Sequence, residues 1–582
     1  MGKNKKRKTQ KIQKTESITQ SIYLFSKYLL DFIVCIYMAF ILVVLPFYNE
    51  EGYTHIGTDK AMFFRQVGIK CGMVLVPVLL VALSLQFILF WKEATRAGKR
   101  GKAIWQQFGL ACREFCRKEL SCTDYFAIFY GVAVILSYIC ASNKEEALWG
   151  TSGWYMGTIP QLLLVGSYFC ISRLWSRRDW LLGLVLPTSA IVFVLGYLNR
   201  FGIFPIDMKV QNYFFVSTIG NVNWYCGYLM CIFWGAFFLL WKVDWEKQRQ
   251  KLLLIGYVFI GFATLVTHGS SSSVIALAGI LLLTFCLSVS SGKRMEAFWL
   301  EMCLFSLAAV GTFLLRRFQI LTINFEEESN TLFTNSPVPI IMTIVSVIVY
   351  LVICYCNQKG CYPVKLFQIF KWIACVGMIA VVVVYLVVVM KNTISGGAFL
   401  QGTPLAESSL FRFSPEWGSN RGATWTAGVL CFWEQDFLHK LVGVGPDCMA
   451  DYIYHNGSNE LLAVVRERFG DARLTNAHNE WLTILVNMGL LGFVGFVGMM
   501  VSAIKRFIGN RHLHGVIGAC GFCLLAYTLN NMVSFQQSMS VSTIFIVLAV
   551  GETYLRGSCK ENDKNKDIND GSKSQNKNRV RK

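Results

Sequence analysis

This chain is short of charge. Only 15% of its 582 residues are Asp, Glu, Lys or Arg, against roughly a quarter in soluble domains. With 54% hydrophobic residues and a mean hydropathy of +0.46, that deficit excludes an ordinary soluble enzyme. The middles of the long apolar runs are almost empty of ionisable groups. Asp31 and Arg173 lie near run ends, within reach of an interface. Ion-coupled transporters usually need charges or broken helices near the midplane, so their absence favours surface chemistry over transport. The first apolar run begins only near Tyr28 and continues as a full span, which argues against a cleavable signal peptide. Paired cysteine spacing is missing too. The twenty cysteines lie mostly in or beside apolar runs, where Cys acts as a small hydrophobe. The groups Cys112/Cys116/Cys122 and Cys354/Cys356/Cys361 lack the spacing and His partners of a zinc site, so no metal is expected. Cys431 and Cys448 allow a disulfide without requiring one.

What is present is a series of apolar runs. By the length criterion there are about 14 spans, near 28–48, 71–91, 122–141, 157–175, 180–198, 222–241, 251–267, 273–290, 297–315, 338–356, 370–390, 480–504, 514–533 and 539–556. The expected fold is an all-α polytopic membrane protein. Its parts are a basic, disordered head (1–27), spans one to eleven (28–390), a large loop (391–479), spans twelve to fourteen (480–556) and a basic tail (557–582). The formal charge of +20 is concentrated in the two ends and in alternate short loops, such as 92–121 and Arg173/Arg177/Arg178. That is no nucleic-acid signature. By the positive-inside rule it puts both termini in the cytoplasm of a multi-pass protein of the cytoplasmic membrane. An even number of spans is then required. The other loops face outside, above all 391–479, too long to be structureless. Trp425, Val429, Phe432 and Trp433 recur at helical spacing within Asn420–Lys440, which predicts an amphipathic helix on the membrane, with Ser419 or Asn420 as its cap. Gly443–Pro446 breaks the chain after it, and Asp451–Arg468 reads as a second helix.

The polar equipment sits outside. His478-Asn479 opens a long apolar helix that carries Gly489 and Gly492 one turn apart, with Thr475 or Asn476 available as cap. A helix N-terminus disfavours imidazolium, so His478 should be neutral, as a general base must be. An interfacial His that merely hydrogen-bonds a loop is the plainer alternative. Arg421 falls in the first turn of the amphipathic helix, where N–H groups already suit an anion and a guanidinium would grip a phosphate bidentately. A surface Arg reaching lipid headgroups is the alternative. Arg412 and Arg316/Arg317 add outward charge with the same ambiguity. Asn221 and Asn223, beside Gly220, offer amides for sugar hydroxyls or a phosphate, or simply cap a helix. His268 and the serines up to Ser273 offer hydroxyls and N–H groups, or a flexible cap.

Taken together these segments resemble the O-antigen ligase and polymerase family. Ala477–Gly492 (AHNEWLTILVNMGLLG) is similar to its His-Asn, apolar, Gly-x-x-Gly block. Arg421-x-x-x-Trp425, followed by Leu441–Asp447 (LVGVGPD), resembles its arginine helix and Gly-x-Gly turn. Ser217–Leu229 (STIGNVNWYCGYL) resembles its Gly-Asn-x-Asn segment, and Ala147–Gly157 (ALWGTSGWYMG) an earlier loop. The resemblance implies a membrane glycosyltransferase C-like fold and a metal-independent, inverting glycosyltransferase without cofactor. Its partners would be a polyprenyl-pyrophosphate-linked glycan donor, a glycan, lipid or protein acceptor, and membrane lipids, with no nucleic acid. His478 would assist the acceptor hydroxyl and Arg421 would stabilise the departing pyrophosphate. Asn479, Trp425, Asn221, Asn223, His268, Arg316 and Arg412 would bind substrate. One departure stands out: the family's Ser-Arg-Gly is replaced by His268-Gly-Ser-Ser-Ser, and His268, Lys209 or Arg316 would have to supply the missing charge. Polymerase and ligase share these motifs. A lipid-linked oligosaccharide flippase or exporter, and a non-catalytic scaffold in polysaccharide assembly, are the alternative readings.

Overall fold

The computed structural model describes residues 2–210, 214–242, 247–268, 270–320, 330–406 and 408–579, with side chains between 18 and 561. The chain is 78% helical. The first helices are α1 (Gly2–Ala39), α2 (Ile56–Arg96), α3 (Lys102–Glu119), α4 (Cys122–Cys140), α5 (Lys144–Trp149), α6 (Thr158–Leu174) and α7 (Asp179–Arg200). They are followed by α8 (Val222–Lys242), α9 (Gln248–His268), α10 (Ser271–Ser288), α11 (Gly292–Arg317), α12 (Thr331–Thr334), α13 (Val338–Gln358) and α14 (Val364–Ile394). The remainder are α15 (Trp417–Glu434), α16 (Phe437–Val442), α17 (Met449–Asn456), α18 (Asn459–Phe469), α19 (Glu480–Gly509), α20 (Gly515–Asn530) and α21 (Ser538–Arg579). Among the described residues the strands are one two-residue pair, Phe215–Val216 against Gly220–Asn221.

Among the described residues, twelve helices are long and apolar enough to cross a membrane. The two remaining expected places are filled by α6 and α20, of 17 and 16 residues. All-round apolar helices such as these have two stable environments, a protein core or lipid. α8 and α21 take the first and are enclosed on nearly every side, whereas α14 takes the second and faces outward along its most apolar stretch. Around α8 an aromatic cluster of Phe233, Trp234, Phe237 and Phe262 locks α9 in place, and Phe522 brings in α20.

Ion pairs fasten one face of the bundle. Asp124, at the start of α4, meets Arg173 at the end of α6 (2.9 Å) and Arg556 of α21. Glu552 holds Arg506 (2.6 Å) and Arg556 (2.9 Å). Asp31 of α1 holds Arg178 (2.6 Å). The charged extensions of α1 and α21 therefore leave from the same face of the bundle. Asp31 is buried as well as paired. One difference from expectation follows. α11 carries an ionisable group within its apolar stretch, Glu301, fully buried with neither carboxylate oxygen hydrogen-bonded.

The long loop is a small domain. α15 through α18 pack around Ala427, Cys431, Met449, Ile453, Leu461 and Val465, and this core continues into Ala141 and Ala147 beside α4 and α5, and into Val486 of α19. The exposed side of α15 and α16 presents Val429, Trp433, Phe437 and Leu438, the face expected to lie on lipid. Replacing Glu552 by Leu strands Arg506 and Arg556 beside a buried apolar side chain. Losing one partner of a buried pair costs about 3–5 kcal/mol, so the denaturant midpoint of the detergent-solubilised protein should fall clearly, and less for Glu552→Gln.

Candidate functional site

The site is assembled where α19 begins. Asn479 is the N-cap, its side-chain oxygen accepting the Leu482 N–H at 3.0 Å. The cap is thus neither Thr475 nor Asn476. Asn476 instead accepts the His478 N–H (3.0 Å), a local Asx turn that holds His478 at φ 47°. Thr483 closes the turn by accepting the Ala477 N–H (3.0 Å) and donating to the Asn479 carbonyl (2.9 Å). The imidazole so placed meets Phe535 edge to face at 4.8 Å, with Nδ1 enclosed and unpartnered. Burial, and then the positive charge of Arg421, lower its pKa to about 4. The charge of Arg421 is thus felt at His478, although 57 residues separate them in sequence.

Arg421 stands at the point where α15 becomes regular. Gly418, Ser419 and Asn420 before it are all left-handed, so neither expected cap acts as one; Asn420 accepts from Arg468 instead (2.6 Å). The buried guanidinium donates to the carbonyls of Gly418 (2.6 Å) and Val533 (2.8 Å). One turn on, Thr424 donates to the Ala477 carbonyl (3.0 Å) and ties the arginine helix to the histidine turn. Trp425 packs across Trp417 at 5.1 Å, its indole N–H buried without a partner.

The glycine turn supports this arrangement. α19 is not one continuous helix: it breaks at Gly489 (φ 63°, ψ −170°). The interruption releases the carbonyls of Val486 and Asn487, which accept from Val444 N–H (3.3 Å) and Gly445 N–H (3.0 Å) of the Gly443–Pro446 turn. Ser137 and Gln435 donate to the same two carbonyls (2.7 and 3.2 Å). A Cβ at Gly443 would sit 2.1 Å from the Asn487 oxygen, and one at Gly489 would sit 2.4 Å from the Leu441 carbonyl. Only glycine fits at either position. After the turn, Asp447 is buried and accepts the N–H groups of Thr151 (2.9 Å) and Met156 (3.0 Å). Burial outweighs those donors and pushes its pKa up to about 7.

Beneath His478 lies a polar network that motif reading did not nominate. Glu480, fully enclosed, accepts from Tyr527 (3.0 Å), Asn531 (2.5 Å) and Gln536 (3.2 Å). Gln536 also accepts from Gln161 (2.6 Å), which accepts from Tyr130 (2.9 Å). Asp447, Glu480, Asn487 and Gln536 border a cavity of about 30 Å³, space for a water or two and not for a sugar. The sequence carried one signal for this network: the amide-rich stretch Asn530–Gln537 (NNMVSFQQ) between two apolar runs, which the expected spans partly absorb.

The structure brings some expected residues together and leaves others apart. Asn221 accepts the Asn223 N–H (2.9 Å) in a turn that opens α8. The next residue, Trp224, reaches Trp154 (6.0 Å), and Trp154 reaches Phe535 (4.9 Å). That segment is therefore linked to His478 through a row of rings. His268 is not at an open surface. It is buried, with Nδ1 accepting from Arg200 (3.0 Å) and Nε2 against the Gly196 carbonyl (2.7 Å), so both ring nitrogens serve the fold and the cation there is Arg200. Arg316 is half-buried at the end of α11 and donates to Thr334 (3.4 Å). Arg412 is exposed beside Gly397, and Lys209 is exposed with its ammonium 3.4 Å from the Glu50 carbonyl. None of these contacts reaches His478 or Arg421. Among the described residues no group of three or more His, Cys, Asp or Glu side chains could hold a metal ion. Cys431 and Cys448 are both buried free thiols.

A helical membrane protein with a folded loop docked over a His–Arg pair is the class that fold and site define. Residues 329–497 match the family model described as O-antigen ligase. That segment contains Arg421, the Gly443–Pro446 turn and His478, so this part of a multi-helix membrane protein is similar to that family. No curated protein and no solved structure matches the chain.

The His478 environment can be read directly. The pKa is lowered on folding, so the folded state is proton-poor relative to the unfolded one, and stability is lost as pH falls from about 6.5 towards 4. Histidine-labelled protein followed by NMR should show His478 still neutral at pH 5.5. Arg421→Gln should move its titration upward, part of the way to the ordinary value.

Proposed function

We propose that the protein is a glycosyltransferase that moves or polymerises a glycan from a polyprenyl-pyrophosphate donor onto an acceptor hydroxyl. The observation that carries this reading is the pairing of a neutral, desolvated His478 with the fixed charge of Arg421 under the loop domain. The acceptor oxygen attacks the anomeric carbon from the face opposite the leaving group, which inverts its configuration. The hydroxyl proton passes to His478 as the bond from the anomeric carbon to the pyrophosphate oxygen breaks. The leaving group departs as an anion, so the dominant contribution is electrostatic stabilisation by Arg421 and nearby backbone N–H groups, and no metal is required. Asn221, Asn223 and Trp425 are assigned to the sugar and pyrophosphate. Asn479 acts mainly by capping α19, and the His268–Arg200 pair acts behind the site rather than in it. The basic loops and both termini face the cytoplasm by the positive-inside rule, which puts His478 on the outer side of the cytoplasmic membrane.

Purified protein supplied with a polyprenyl-pyrophosphate glycan and candidate acceptors tests the reading. His478→Ala should lower the transfer rate by about 10²- to 10⁴-fold, the usual contribution of a general base. Arg421→Lys keeps the charge and loses the planar fork, and should also fall sharply. A wild-type rate in either variant, correctly inserted, overturns the role given to that residue.

A further inference from the structure

The turn between α20 and α21, residues 531–537, touches both members of the proposed reactive pair. Its Val533 carbonyl accepts from Arg421 Nε (2.8 Å), and its Phe535 ring lies edge to face with the His478 imidazole. The turn is itself held by one carboxylate. Glu480 donates its own N–H to the Asn531 carbonyl (3.0 Å), and its side chain accepts from Asn531, Gln536 and Tyr527. We propose that Glu480 is a positioning residue: through the 531–537 turn it fixes where Arg421 and His478 stand relative to each other.

Three features carry the inference. Glu480 lies two residues after His478, so one short segment supplies both the imidazole and the anchor of the turn that packs against it. The hydrogen-bond donors to Glu480 are all neutral, and a buried carboxylate held only by neutral donors is strongly directional, because each donor lost leaves it poorly solvated. Finally, the turn contacts Arg421 and His478 from one rigid backbone. Through the Phe535 ring it also continues to Trp154, while Gln536 continues to Gln161. A shift of the turn is then a shift of both groups, and displacements near 1 Å in a reacting geometry cost about a hundredfold in rate.

The proposal rests on the reading of His478 and Arg421 as the reactive pair, and its test keeps the two apart. Glu480→Gln preserves shape but turns an amide N–H₂ toward the donors that a carboxylate received. The expected result is a loss of kcat of about a hundredfold with KM for the acceptor little changed. In histidine-labelled protein, the His478 titration should also shift upward as Arg421 and Phe535 relax away. The double variant Glu480→Gln/Arg421→Gln should be no slower than Arg421→Gln alone. An unmoved His478 titration, or rate losses that multiply in the double variant, overturns the positioning role. The titration is read without any substrate, so it stands even if His478→Ala shows that the transfer reading is wrong. Should Glu480→Gln fail to insert, Phe535→Leu removes the ring contact alone and is expected to move the His478 titration in the same direction; no movement counts against the proposal.

Discussion

Backbone that leaves its helix inside a low-dielectric bundle must find new partners, and the site depends on that constraint. Nothing in hydrocarbon replaces a lost N–H···O=C bond, and each unsatisfied group there costs several kcal/mol. α19 nonetheless breaks at Gly489. It can do so because Val444, Gly445, Ser137 and Gln435 converge on the two carbonyls that the break releases. The glycine turn, the end of α4 and the loop domain are thereby fixed to the helix that starts with the His478 turn. Glycine at 443 and 489 is a steric requirement of this joint, since a Cβ at either would overlap backbone.

Charge is handled on two faces in different ways. On the face that carries the termini, Asp31, Asp124 and Glu552 are matched against arginines, and the result is a fastening between α1, α4, α6, α19 and α21. On the opposite face, Glu480 is held by neutral donors and Asp447 by backbone N–H groups, and His478 is kept neutral beside Arg421. The first arrangement favours rigidity alone. The second keeps ionisable groups desolvated and individually oriented, the condition under which a fixed cation acts strongly on a developing anion.

Much of the architecture was legible in the chain. Fourteen apolar runs became helices, and the large loop became a folded unit with an amphipathic, aromatic-faced helix. His478 and Arg421 were nominated from local context, a helix mouth and a first helical turn. Other local readings met competing contacts. The cap of α19 went to Asn479 because Asn476 was taken by the His478 N–H. Asn420 was drawn off by Arg468. His268 became a core residue because Arg200, from α7, fills the space beside it.

The sequence by itself determined the class of protein, the helices and the loop that bears polar residues. These follow from hydropathy period, run length and the sign of the loops, all of which are properties of neighbouring residues. It also carried the family segment, 329–497. The tertiary structure alone decided which polar residues meet. Arg421 acts on His478, Val533 touches the first and Phe535 the second, and Glu480 gathers Tyr527, Asn531 and Gln536, each pairing joining residues distant in the chain. No local pattern encodes such contacts, because they depend on how separate helices are brought together and on which buried donors remain to be satisfied once they are.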